Sequence, residues 1–128
     1  MSGLCISAGL IVATLPLQAF TLAWTHSIER IRWEEDYQIV DSRPCRLVLA
    51  EARIRGSGAG MEPPDGAILK DSVWHYRPIL KPLGELRLSH SPYTAGYEIC
   101  SDGHCKRLTD ILPGIAETQT VVIAPCSP

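Results

Sequence analysis

The chain reads as all-β, an antiparallel β-sandwich or flattened barrel of about nine short strands with at most one short helical turn. Three observations lead there. Within Phe20 to Arg55 three runs alternate apolar and polar side chains with period two before their shared face turns charged at one end, the period of a strand and not of a helix. Ten Gly and ten Pro are spread along the chain, cutting the apolar runs to strand length. Asp102-Gly103, a strong two-residue hairpin turn, stands between two short runs. With 128 residues, no internal repeat and no low-complexity stretch, residues 1–128 are expected to form one domain around one core.

The elements follow in order. Leu4 to Ser7 and Leu10 to Leu15 are read as strands turning at Ala8 and Gly9, with Pro16 and Leu17 leading onward. Residues Ser2 to Thr25 lack charged side chains, so a helical signal or membrane segment competes with this parse. No Lys or Arg precedes the run as an export signal would require, and Gly9, Pro16 and the β-branched residues interrupt a helix. No stable transmembrane span is therefore expected. Phe20 to His26, Trp33 to Ile39 and Leu47 to Arg53 form a three-stranded meander, and a strand lies within Ile68 to Arg77. Glu85 to His90 is the next strand, and Tyr97 to Cys100 with Cys105 to Leu108 make the Asp102-Gly103 hairpin. Thr109 is placed to cap a helical turn through Leu112, stopped by Pro113 and Gly114. Thr120 to Ala124 is the last strand.

The meander holds the leading candidate site. Joining the strands at Ser27 to Arg32 and at Val40 to Arg46 gives the cross-strand rows Phe20/Ile39/Leu47, Leu22/Tyr37/Leu49, Trp24/Glu35/Glu51 and His26/Trp33/Arg53. Two rows are core, and two make a polar mouth, while Arg32, Glu34, Asp36 and Gln38 face water. A slip of one residue would bury those charges, whereas a slip of two would pass the same test. The mouth admits two readings. Arg53 neutralises Glu35 and Glu51 in a salt-bridge network, or the paired carboxylates raise one pKa and form a ligand or acid/base pocket. The loop after Ile54 leaves from the same end and carries Gly58, Ala59, Gly60 and Met61, whose backbone N–H groups suit an anion cradle or a tight connection. It lacks the Gly-Lys-Ser/Thr of a phosphate loop, and Pro63 and Pro64 stand where a dinucleotide loop would start its helix.

Other chemistry is sparse. No nucleophile elbow or thiol-catalysis signature is present, and His75, His90 and His104 read as strand residues rather than ligands. One His with Glu at no diagnostic spacing is not a metal set, so no metal and no cofactor is expected. The net charge of −2 and the absence of a basic run argue against nucleic acid. Five Cys are many for a cytosolic domain of this size. Ser101 and His104 close the hairpin, which sets Cys100 opposite Cys105 at disulfide distance, with a reduced pair as the alternative. Cys5 and Cys126 can join if the first and last strands are neighbours, leaving Cys45 odd.

The stretches Trp24 to Tyr37, Leu49 to Pro64, Trp74 to Ser91 and Tyr97 to Leu108 together resemble a bacterial family known as domain of unknown function 1850. Its most recognisable pieces here are His26-Ser27 with Glu29, and Gly58-Ala59-Gly60. Longer relatives carry an export signal or anchor before the opening strands. The resemblance and the cysteines point to the bacterial envelope or periplasm, and the missing signal points to the cytoplasm. The resemblance also implies a genomic setting beside TRAP-type transporters with a TAXI-class receptor, hence an accessory role in organic-anion uptake. The leading expectation is a non-enzymatic module binding a small carboxylate or a transporter component through Arg53, His26 and Gly58 to Met61. The alternatives are a small hydrolase or isomerase using His26 with Glu35 or Glu51, and a purely structural assembly domain.

Overall fold

The computed structural model describes residues 3–25, 31–41, 44–55, 66–77, 81–89, 96–116 and 118–126. Eleven strands and one helix are formed among them: β1 (Gly3–Ala8), β2 (Ile11–Leu15), β3 (Ala19–Thr25), β4 (Arg32–Val40), β5 (Arg46–Arg55), β6 (Ile68–Lys70), β7 (Val73–Tyr76), β8 (Leu86–Ser89), β9 (Glu98–Ser101), β10 (His104–Arg107), α1 (Leu108–Ile111) and β11 (Thr120–Cys126). They build two antiparallel sheets, one ordered β2-β1-β11-β8 and the other β10-β9-β3-β4-β5-β7-β6. The protein is an all-β sandwich, and the sheets do not close into a barrel.

The strand count exceeds the sequence expectation because Ile68 to Arg77 is a hairpin and not one strand. Asp71 and Ser72 both adopt positive φ, at 51° and 64°, as a tight two-residue turn requires. Neither is Gly, so composition hid the turn. The opening pair is present as expected, with Gly9 at φ 61° in its turn. A side chain there would be strained by the positive φ and would also displace the end of the Gln119 side chain, 2.6 Å from the Cβ position. Helix α1 starts before Thr109: Arg107 occupies its cap position without a side-chain bond. The turn is held instead by the Leu108 N–H donating to the Tyr97 carbonyl at 3.0 Å and the Leu112 N–H to the Leu108 carbonyl at 2.8 Å.

The core lies between the sheets. Leu4, Ile6, Val121 and Ile123 project from the smaller sheet onto Phe20, Leu22, Leu47 and Ile99 of the larger, and α1 adds Leu108 and Leu112. Chain crossing is tight at one corner. The Leu47 and Leu83 backbones exchange bonds of 2.7 and 2.8 Å before the chain moves into β8 on the other sheet. The first and last strands are direct neighbours, and a disulfide joins Cys5 to Cys126 diagonally across them with Cα atoms 5.7 Å apart. Cys100 and Cys105 face each other on β9 and β10 and are also bonded, at a Cα separation of 4.0 Å. Cys45 is free.

The Cys5–Cys126 bridge spans a sequence separation of 121 residues, so it restricts the unfolded chain more than the hairpin bridge does. Replacing both residues by Ser is expected to lower the unfolding free energy by roughly 2–5 kcal/mol, read from urea midpoints, with the slope of the transition reporting any change in the unfolded state.

Candidate functional site

The larger sheet sets the site, and its register differs from the expected rows in two places. Between β3 and β4 the pairing is Phe20 with Tyr37, Leu22 with Glu35 and Trp24 with Trp33, a slip of two residues that keeps every side chain on its expected face. Between β4 and β5 the expected pairs Ile39/Leu47 and Tyr37/Leu49 form, and then a bulge intervenes. Beyond it Asp36 pairs with Glu51, Glu35 with Ala52 and Glu34 with Arg53. The extra residue, Ala50, turns Ala52 and Ile54 inward, where they are 1% and 0% exposed, and turns Glu51 and Arg53 outward. The expected grouping of Glu35 with Glu51 and Arg53 is therefore not formed. Glu35 lies on the inner face, the other two on the outer.

On the outer face Arg53 is the hub. Its Nε donates to Glu34 Oε1 at 3.2 Å, Nη1 to Asp36 Oδ2 at 2.6 Å and to Glu51 Oε2 at 3.1 Å, and Nη2 to Asp36 Oδ1 at 2.7 Å. Glu34, expected in water, is only 12% exposed and also accepts from Arg55 at 2.8 Å and Arg32 at 3.3 Å. Arg32 reaches Glu98 at 3.0 Å, Thr21 donates to Asp36 at 2.7 Å, and His75 Nδ1 lies 3.0 Å from Glu51. The bonds from Arg53 outweigh burial and, with Thr21, hold the Asp36 carboxyl below its usual range. Burial opposes ionisation of Glu34, but Arg55, Arg53 and Arg32 outweigh it and hold that carboxyl low as well. Asp36 in turn raises the Arg53 guanidinium. With all three of its nitrogens engaged, Arg53 is poorly placed for an incoming anion, which would also meet three carboxylates.

On the inner face Glu35 stands in the opposite condition. Burial raises its carboxyl, and the Tyr37 hydroxyl, donating at 3.0 Å to Oε1, offsets this only in part. Glu35 has no ion pair among the described residues, although Glu34 next to it has three. Aromatic rings surround it. Burial and then the charge of Glu35 raise the hydroxyls of Tyr37, Tyr76 and Tyr97, so all three tyrosines lie within its field. Trp24 stacks on Trp33 at 6.2 Å between centroids and meets Tyr97 at 5.7 Å. The Trp33 Nε1–H is buried without a hydrogen-bond partner among the described residues. A carboxylate has about four acceptor positions, and one bond leaves most of them open. Hydrogen-bond donors, or positive charge over ring faces, are the chemistry that complements such a patch.

Of the expected site residues, Trp33, Glu35, Glu51 and Arg53 are placed as above, while His26, Ser27, Glu29, Gly58, Ala59, Gly60 and Met61 lie outside the described residues. Reading the sequence missed Thr21, Glu34, Asp36, His75 and Glu98 on the outer face, and Tyr76 and Tyr97 beside Glu35. The available signal was the shift in apolar parity along β5, from Leu47 and Leu49 to Ala52 and Ile54. Among the described residues no three of His, Cys, Asp or Glu converge as a metal-binding group, and no helix is long and apolar enough to cross a membrane.

The family profile described as domain of unknown function (DUF1850) matches residues 20–108, more than half of the chain, and the chain belongs to that family. No curated protein and no solved structure matches it.

The outer network makes folding sensitive to acid in a defined direction. Asp36 and Glu34 have lowered folded-state pKa values, so their contribution is complete above the unfolded-state values near about 4 and is lost as pH falls through the folded values. Arg53→Met is expected to cost roughly 1–3 kcal/mol at neutral pH and to flatten the loss of stability between pH ~5 and ~2, as measured by urea unfolding across that range.

Proposed function

We propose that this DUF1850 domain is a non-enzymatic binding module whose recognition group is Glu35, set among Trp24, Trp33, Tyr76 and Tyr97. The observation that carries the reading is a half-buried carboxylate with one hydroxyl donor and no ion pair among the described residues. A carboxylate in that condition is stabilised by an ammonium or guanidinium group arriving from outside, and stacked rings beside it favour the same visitor. The acid/base alternative pairs His26 with Glu35 or Glu51; these two carboxylates lie on opposite faces and do not act together, and His26 lies outside the described residues. The accessory role beside a TRAP-type transporter is supported by the family resemblance. In this reading the cation is a lysine or arginine side chain of a transporter component.

The direct test is titration of the full chain with methylguanidinium and tetramethylammonium, followed by tryptophan fluorescence. Saturable change is expected with either cation and not with butyrate, and Glu35→Gln is expected to weaken it at least about tenfold, the cost of one lost charge-assisted contact. No saturable change, or equal binding by Glu35→Gln, contradicts the reading.

A further inference from the structure

A second surface, apart from Glu35, has the opposite chemistry. β2 ends the smaller sheet and β10 ends the larger, and these two edges leave an open flank. A groove of about 190 Å³ lies there, floored by Leu15, Leu17, Ile99 and Ile111 and rimmed by His104 and Lys106. The rim is fixed by register. His104 pairs with Ser101 and Lys106 with Ile99, so His104, Lys106 and the Ser101 hydroxyl share the face of a side chain that is 4% exposed. Neither His104 nor Lys106 has an ion pair or side-chain hydrogen bond among the described residues. The contrast with the arginines is direct, since Arg32, Arg53, Arg55 and Arg87 all face carboxylates.

We propose that this groove binds a small carboxylate with a compact apolar tail, the tail on Leu15, Leu17, Ile99 and Ile111 and the carboxylate on Lys106, His104 and Ser101. Size limits the ligand. An apolar cavity of about 150 Å³ holds one benzene, and drug-sized ligands fill roughly 300 Å³ or more, so the groove matches a molecule the size of benzoate or hexanoate. Charge limits it further. Lys106 supplies a point charge with three donors, and the hydroxyl of Ser101 supplies another, so a carboxylate is matched at both oxygens while an alcohol is not. The Lys106 ammonium sits beside a mainly apolar floor, where attraction to an anion is less screened than in open water, and the His104 ring adds a further polar group to the rim. Arg53, the cation first indicated by the sequence, is saturated by its own carboxylates, so this groove is the better-formed anion site.

The test is protein-observed NMR of the full 128-residue chain titrated with sodium benzoate and sodium hexanoate, with benzyl alcohol and butylammonium as controls. Saturable amide shifts are expected at Leu15, Leu17, Ile99, Ser101 and Lys106, with dissociation constants on the order of 0.1–10 mM for ligands of this size. Lys106→Gln, at an exposed position that leaves the core intact, is expected to weaken benzoate at least about fivefold, and Leu17→Asn to weaken hexanoate similarly. The proposal is overturned by three results: no saturable shift up to about 10 mM, benzyl alcohol binding as well as benzoate, or both variants binding like the unaltered chain. Shifts confined to the Trp33 and Glu35 end also overturn it, and they leave the Glu35 reading to stand on its own titration.

Discussion

One bulge in β5 determines where the charges of this protein go. Opposite the Asp36–Tyr37 junction, Ala50 is the extra residue, and from there the strand presents the other set of alternate side chains to the core. Without it, keeping Leu47 and Leu49 inside would bring Glu51 and Arg53 inside as well, and would expel Ala52 and Ile54. The bulge lets both halves of a ten-residue strand bury their apolar members. β5 pairs with β4 along its length, and its second half pairs with β7 on the far side.

The consequence is a sheet with two unlike faces. On the outer face three arginines lie among four carboxylates, and each of these seven groups is bonded to at least one partner of opposite charge. Bonds of this type are charge-assisted and partly sheltered, which makes their loss more costly than that of an isolated surface pair. On the inner face β4 carries Glu35 without such help. Its nearest donor is a tyrosine, whose hydroxyl is itself held protonated by burial and by the carboxylate it serves. An arginine-paired carboxylate on one face and one without an ion pair among the described residues on the other are thus Glu34 and Glu35, adjacent residues of β4.

Much of the fold could be read from the residues. Alternation in Phe20 to Trp24 and Trp33 to Ile39 identified faces correctly, and Asp102-Gly103 located the Cys100–Cys105 pair. The β3–β4 register was underdetermined because a shift of two preserves every face, so only the joining segment between the strands chooses among such registers. The Asp71-Ser72 turn escaped because non-glycine residues adopt its positive φ. The site was half legible. Trp33 and Glu35 were recognised as inward-facing, but Glu51 and Arg53 were assigned by extending one parity through Ala50. Tyr76 and Tyr97 reach Glu35 from strands and connections distant in sequence, and no local pattern announces that meeting.

Alternation along β4 puts Glu35 on one face and Glu34 with Asp36 on the other, and the bulge in β5 brings Arg53 and Glu51 to the Glu34 and Asp36 side, leaving Glu35 without an arginine. Site-resolved carboxyl titration by carbon-13 NMR reads this directly. Glu35 is expected to titrate above the ordinary glutamate value of about 4.3, with Glu34 and Asp36 below their ordinary values. Glu35 titrating low, together with a response to Arg53→Met, would put it in the arginine network and contradict the account.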